Sequence, residues 1–163
     1  MKLLSVRMVN FLAFLVCAGL LGAAIYFEVV DKLDPCPLCI LQRLIFILLG
    51  FLFLIGMIKF PPQGHRYFHY GIAAVALLGV FTAARQIWIE HLPPYEIPTC
   101  GANLKYLFQV LPFKQALQLV IQGTGSCAKV TWRLFGFSMA SYALVFFIGL
   151  TGVAVWQALR PSH

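Results

Sequence analysis

Residues 36–43 read Cys36-Pro37-Leu38-Cys39-Ile40-Leu41-Gln42-Arg43, and the apolar run that follows carries no further charge as far as Ile58. Such a run is long enough for a helix to cross a bilayer, and this one is entered through a pair of thiols. Pro37 stands where a first helical residue would be: its missing N–H is not needed there and its φ is already helical. Cys36 then falls near the N-cap and Cys39 within the first turn, where unpaired N–H groups and the helix dipole stabilise a thiolate. Arg43 lies four residues beyond Cys39, one turn deeper on the same face. A C-x-x-C pair suits disulfide exchange or metal binding. An arginine at membrane depth is costly and so points to function, with snorkelling to the interface as the plainer alternative. Two thiols and a cation at a lipid–water boundary have the makings of a redox site.

The rest of the chain agrees with a membrane setting. Of 163 residues, 61% are hydrophobic and only 10% charged, against about 25% charged in soluble domains. Residues 1–163 are read as a single integral membrane domain. The net charge of +7 argues little for nucleic acid, because the basic residues sit at the ends of apolar segments, as membrane proteins place them. Of the five cysteines, Cys17 lies inside an apolar segment, where a lone thiol is a small packing residue. The other four form two pairs.

Four spans are expected, at about 8–27, 40–58, 70–89 and 138–159, giving an all-α bundle of four transmembrane helices. Lys2 and Arg7 precede the first, and Glu28, Asp31 and Asp34 follow it. Gly22-Ala23-Ala24 offers small residues for signal cleavage, but the run is long for a signal h-region, and an uncleaved anchor is the reading adopted. Pro61, Pro62 and Gly64 block helix continuation between the second and third spans. Gly79 and Ala83, four apart in the third, allow close helix approach in lipid.

An even number of spans puts both termini and the 59–69 connection on one side, and loops 28–39 and 90–137 on the other. Lys2, Arg7, Lys59, Arg66 and Arg160 on the termini side stand against Lys32, Lys105, Lys114, Lys129 and Arg133 on the other, so the count alone does not settle the side. The density is higher on the termini side, in the shorter segments where the positive-inside rule is strongest. All five acidic residues fall on or near the opposite face. Both termini are therefore expected in the cytoplasm, which leaves four cysteines facing a compartment that permits disulfides.

The long outer loop has features of its own. Leu104, Leu107, Phe108 and Leu111 follow an i, i+3, i+4, i+7 stripe, continued after Pro112 by Leu117, Val120 and Ile121; this predicts a short interfacial amphipathic helix. Cys100 and Cys127, with 26 residues between them, would close a loop worth about 3–4 kcal/mol as a plain structural disulfide. Gly101 after Cys100 and the Gly123-Thr124-Gly125-Ser126 approach to Cys127 suit a movable, exchanging disulfide instead. Arg85, Glu90 and His91 close the third span at the level of Cys39 and Arg43. His91 is a candidate proton carrier, or simply an interfacial ring. Trp88, Trp132 and Trp156 suit aromatic belts.

With these residues assembled, the chain resembles the disulfide bond formation protein B (DsbB) family of bacterial inner-membrane oxidases. The likeness covers nearly the whole chain: four spans, C-x-x-C-x-x-x-R opening the second, Glu-His closing the third, and a cysteine pair in the last outer loop. The resemblance implies a quinone-coupled thiol oxidase of the inner membrane. By position, Cys100 would form a mixed disulfide with a DsbA-like periplasmic dithiol oxidase, and Cys127 would pass the oxidation state on by exchange with Cys36. Cys39 would contact ubiquinone or menaquinone, and Arg43 and His91 match family positions around the quinone head group. Arg85 is a further candidate there. The Pro-Leu interior of the C-x-x-C and the short cytoplasmic loop and tail depart from the pattern without touching these positions.

Two other classes compete. A four-helix quinone enzyme running in the opposite direction, like vitamin K epoxide reductases, shares a C-x-x-C near a quinone, but with a different chain order around the site. A membrane protein with structural disulfides, or a soft-metal transporter, would want thiols or methionines lining its spans. Cys17 is the one cysteine inside a span, and the four methionines form no ladder. A structural zinc site would want four ligands at characteristic spacings, and Cys100 and Cys127 are no second C-x-x-C.

Overall fold

Apolar runs of this length leave their backbone groups no partners in lipid but one another, so they fold as helices. The computed structural model describes residues 6–31, 36–58, 65–92, 115, 133–134 and 136–160. It contains α1 (Val6–Asp31), α2 (Pro37–Ile58), α3 (His65–Glu90) and α4 (Met139–Leu159). All four are long and apolar enough to cross a membrane; at about 1.5 Å per residue even the 21 residues of α4 match a core roughly 30 Å thick. The expected four-helix membrane bundle is what the chain forms.

Two helices outrun their apolar stretches. α1 continues past Phe27 to Asp31, and α3 starts at His65 rather than Tyr70. Backbone bonding does not stop where hydrophobicity does, and interfacial polar residues such as Glu28 and Arg66 are tolerated in a terminal turn. α2 begins at Pro37, as its fixed φ predicts. Ahead of α4, Arg133–Leu134 (β1) and Phe137–Ser138 (β2) pair antiparallel, a feature the apolar pattern did not announce. The turn between them needs a left-handed residue, and Gly136 supplies it at φ 84°. The amphipathic stripe at 104–121, Cys100, Cys127 and Trp132 lie outside the described residues.

α1 packs on α2, α2 on α3 and α3 on α4. Phe46, Leu49, Phe53, Ile72, Ala76, Phe147 and Leu150 form the centre of the core. The Phe147 ring lies over Gly79, where a Cβ would overlap it, and stacks on Phe46 with centroids 4.1 Å apart and planes 12° from parallel. Gly79 and fully buried Ala83 thus supply the close approach between α3 and α4. Leu78, Phe81, Phe51 and Ile148 face outward, as lipid contact requires. Trp88 and Trp156 are exposed near helix ends, and the Arg160 guanidinium sits 3.8 Å from the Trp156 ring centroid.

Polar side chains are buried at both ends of the bundle. At the end away from Cys36 these are Asn10, His69 and Gln157. Asn10 and Phe68 both flank Gly56. Ten residues along each antiparallel helix from the Gly79–Phe147 contact stand His69 and Gln157, so the three polar residues share one layer. Among the described residues, the amide atoms of Asn10 and Gln157 have no hydrogen-bond partner.

Candidate functional site

The opposite end is built around the start of α2. Ile40 N–H donates to the Cys36 carbonyl at 3.1 Å, which is the first helical bond. Cys39 N–H donates to Cys36 Sγ at 3.2 Å, so the Cys36 sulfur occupies the place of an N-cap side chain. That cap holds the two sulfurs 2.7 Å apart. Forming a bond of about 2.05 Å between them needs only a small side-chain motion. Cys36 is buried and Cys39 half-buried, and both pack with Leu38, Ile89 and Leu92. The end of α3 is therefore the wall against which the thiol pair rests.

α3 contributes a polar group that the sequence reading passed over. Gln86 is 5% exposed, and its Nε2 lies 3.4 Å from Cys39 Sγ. Its Oε1 accepts from Gln42 Nε2 at 2.9 Å, and its Nε2 donates to Glu90 Oε1 at 3.4 Å. Gln42, buried on α2, is its partner across the two helices. A signal for both was present: an uncharged polar residue inside an apolar span is subject to the same rule that singled out Arg43.

Arg43 is tied to α1. Nη1 pairs with the Glu28 carboxylate, and Nη2 donates to the Ala24 carbonyl at 3.2 Å. Glu28, expected at the start of a loop, instead sits in the extended end of α1 as the counter-ion of Arg43. The guanidinium is thus held by two acceptors within the bundle's rim; a snorkelling side chain would instead reach for water.

The remaining candidates are placed as follows. Arg85 is half-buried on α3, one residue before the amide that reaches Cys39. His91 is exposed in the turn after α3, with Nδ1 2.8 Å from the Ile87 carbonyl; that oxygen only accepts, so Nδ1 carries a proton. Among the sequence-predicted site residues, Cys36, Cys39 and Arg43 open α2 together, with Arg85 and His91 near the adjoining end of α3. Chemically the arrangement offers a pre-paired dithiol over an apolar wall, an amide donor at one sulfur, and a paired guanidinium one turn further along α2.

Comparison with known proteins agrees with this architecture. The family model described as disulfide bond formation protein DsbB matches residues 6–157. The chain is similar to disulfide bond formation protein B 1 of Pseudomonas aeruginosa, with 41% identity over 163 residues, covering 99% of this chain and 100% of the relative. It is also similar to disulfide bond formation protein B of Methylococcus capsulatus, with 42% identity over 98% of this chain and 100% of the relative. A third relative, disulfide bond formation protein B of Acinetobacter baumannii, is 41% identical over 96% of this chain and 93% of its own length.

Proposed function

Because the chain belongs to the DsbB family of disulfide bond formation proteins, we propose that it is a thiol oxidase that draws electrons from a DsbA-like periplasmic dithiol and passes them to ubiquinone or menaquinone. The quinone supplies the terminal acceptor: as the partner's two thiols become a disulfide, two electrons and two protons convert quinone to quinol. Cys39, Arg43, Arg85 and His91 would hold the head group. The donor set suits it, since an amide N–H at a soft sulfur over the apolar wall of Leu38, Ile89 and Leu92, with a guanidinium one turn further along α2, complements a flat ring with carbonyl oxygens.

The relay balances by thiol–disulfide exchange. A partner thiolate attacks Cys100 of a Cys100–Cys127 disulfide and releases the Cys127 thiolate. The partner's second thiolate then closes its own disulfide and releases Cys100. Cys127 next attacks Cys36 of the Cys36–Cys39 disulfide, which frees Cys39 as a thiolate at the helix N-terminus. Cys100 finally displaces Cys36 from Cys127. The cysteine face would lie in the periplasm, with both termini on the cytoplasmic side of the inner membrane.

The observation that carries this reading is the Cys36–Cys39 pair itself, two thiols 2.7 Å apart on a helix N-terminus with the second the more exposed. The test is quinone reduction by the purified chain in detergent, with a reduced thioredoxin-fold oxidase as donor. Turnover is expected from the unsubstituted chain and lost in Cys39→Ser. Cys100→Ser should stop partner oxidation while leaving quinone bound. Turnover that survives Cys39→Ser would overturn the assignment.

A further inference from the structure

Two neighbours decide how the Gln86 amide lies. Gln42 Nε2 donates to its Oε1 at 2.9 Å, and its own Nε2 is 3.4 Å from Glu90 Oε1. Turned over, the amide would set its oxygen against the Glu90 carboxylate, which when ionised can only accept, and its NH2 against that of Gln42. Gln42 could answer by turning over as well; Glu90 could not. With this orientation held, the second Nε2 hydrogen is left for Cys39 Sγ at 3.4 Å. Oε1, 3.7 Å from the same sulfur, accepts from the thiol while Cys39 is protonated. One amide therefore serves both protonation states, and the thiolate receives the stronger, charge-assisted bond.

We propose that Gln86 is a further catalytic residue, donating its amide N–H to the Cys39 thiolate, and that Gln42 and Glu90 are positioning residues that keep the amide from turning over. The amide then favours the thiolate form of Cys39 through a direct, charge-assisted bond. The site thus carries two independent devices for the same sulfur: the dipole of α2, in whose first turn Cys39 stands, and the amide of α3. The inference rests on Cys39 being the reacting thiol of the proposed oxidase.

The test reads Cys39 directly and needs no quinone. The full chain is purified in detergent, reduced, and carries Cys36→Ser so that a hydroxyl keeps a donor beside Cys39. The iodoacetamide alkylation rate of the Cys39 peptide is followed by mass spectrometry against pH. Gln86→Met, similar in length and without the amide, is expected to move the profile up by about one pH unit, a roughly tenfold loss of thiolate at fixed pH. Gln86→Glu, which presents an acceptor to the sulfur, should move it further. A Gln86→Met profile that superimposes on the parent overturns the inference, as does a Gln86→Glu profile that does not rise. Failure of the oxidase reading would appear elsewhere, as absent quinone reduction by the unsubstituted chain.

Discussion

The bundle buries polar side chains at both ends, and the two layers are built differently. At the C-x-x-C end, Gln42, Gln86, Glu90 and Cys39 share hydrogen bonds across α2 and α3, and Arg43 is tied to Glu28 and Ala24 of α1. At the other end, Asn10 and Gln157 are fully buried, and among the described residues their amide atoms have no partner. An unsatisfied buried polar group costs about 1–3 kcal/mol, and lipid offers no water to relieve it. Polarity inside a span is therefore no guide to function by itself. What separates the two layers is that one converges on the Cys39 sulfur, the thiol of the proposed relay, while among the described residues the other converges on no thiol.

Removing the cation should separate the layers most. Arg43→Met keeps an unbranched apolar stem in place of the guanidinium, so α2 is expected to fold with its packing intact. If the cation steadies developing negative charge beside Cys39, thiol-dependent quinone reduction should fall about 100-fold, the scale of losing one preorganised donor. The equivalent change at the other end, Gln157→Met, should leave turnover where it was. A loss below threefold in Arg43→Met would reduce Arg43 to an anchor between α1 and α2.

The same chemical change at the two ends should then have opposite consequences for stability. Gln42→Met leaves the Gln86 carbonyl only the weak, distant Cys39 thiol as a donor and should destabilise the bundle by about 1–3 kcal/mol in unfolding from mixed micelles. Gln157→Met replaces an amide that has no partner among the described residues with an apolar chain of similar length, and should be neutral or stabilising by up to about 1 kcal/mol. If both cost the same, the Gln157 amide is satisfied in the membrane and the contrast between the layers disappears.

How much of this was legible beforehand follows from what a one-dimensional pattern can carry. Length and hydropathy announce four spans because backbone satisfaction in lipid leaves no other choice. Pro37 announces the start of α2, and with it the neighbourhood of Cys36 and Cys39, because its φ suits one helical position above others. Glu28 was misplaced into a loop, since hydropathy marks where apolar residues end and not where helical hydrogen bonding ends. Gln42 and Gln86 were missed for a different reason. They are 44 residues apart, and only the antiparallel packing of α2 on α3 brings them together. Arg85 is the more conspicuous neighbour in sequence because of its charge, whereas the amide beside it is the group that reaches Cys39. The small β1–β2 pairing was equally silent, because strands of two residues are too short to have a period.

The finest discrimination lies in the Arg43–Glu28 pair, where the carboxylate has two separable jobs, fixing the guanidinium and neutralising it. Its side chains are 23% and 38% exposed for Arg43 and Glu28, so solvent screens the charge interaction and its contribution to stability should stay within about 1 kcal/mol. Glu28→Gln keeps an acceptor oxygen for Nη1 and removes the charge, while Ala24 still accepts from Nη2. If fixing is what the site requires, quinone reduction in Glu28→Gln should stay within about twofold of the parent. The small stability change should shrink further as salt rises, because exposed charges are the ones that salt screens. A clear rise in turnover would mean that Glu28 restrains the cation electrostatically. The satisfied layer would then be tuned as well as ordered, with the charge on Arg43 held below its full effect on Cys39.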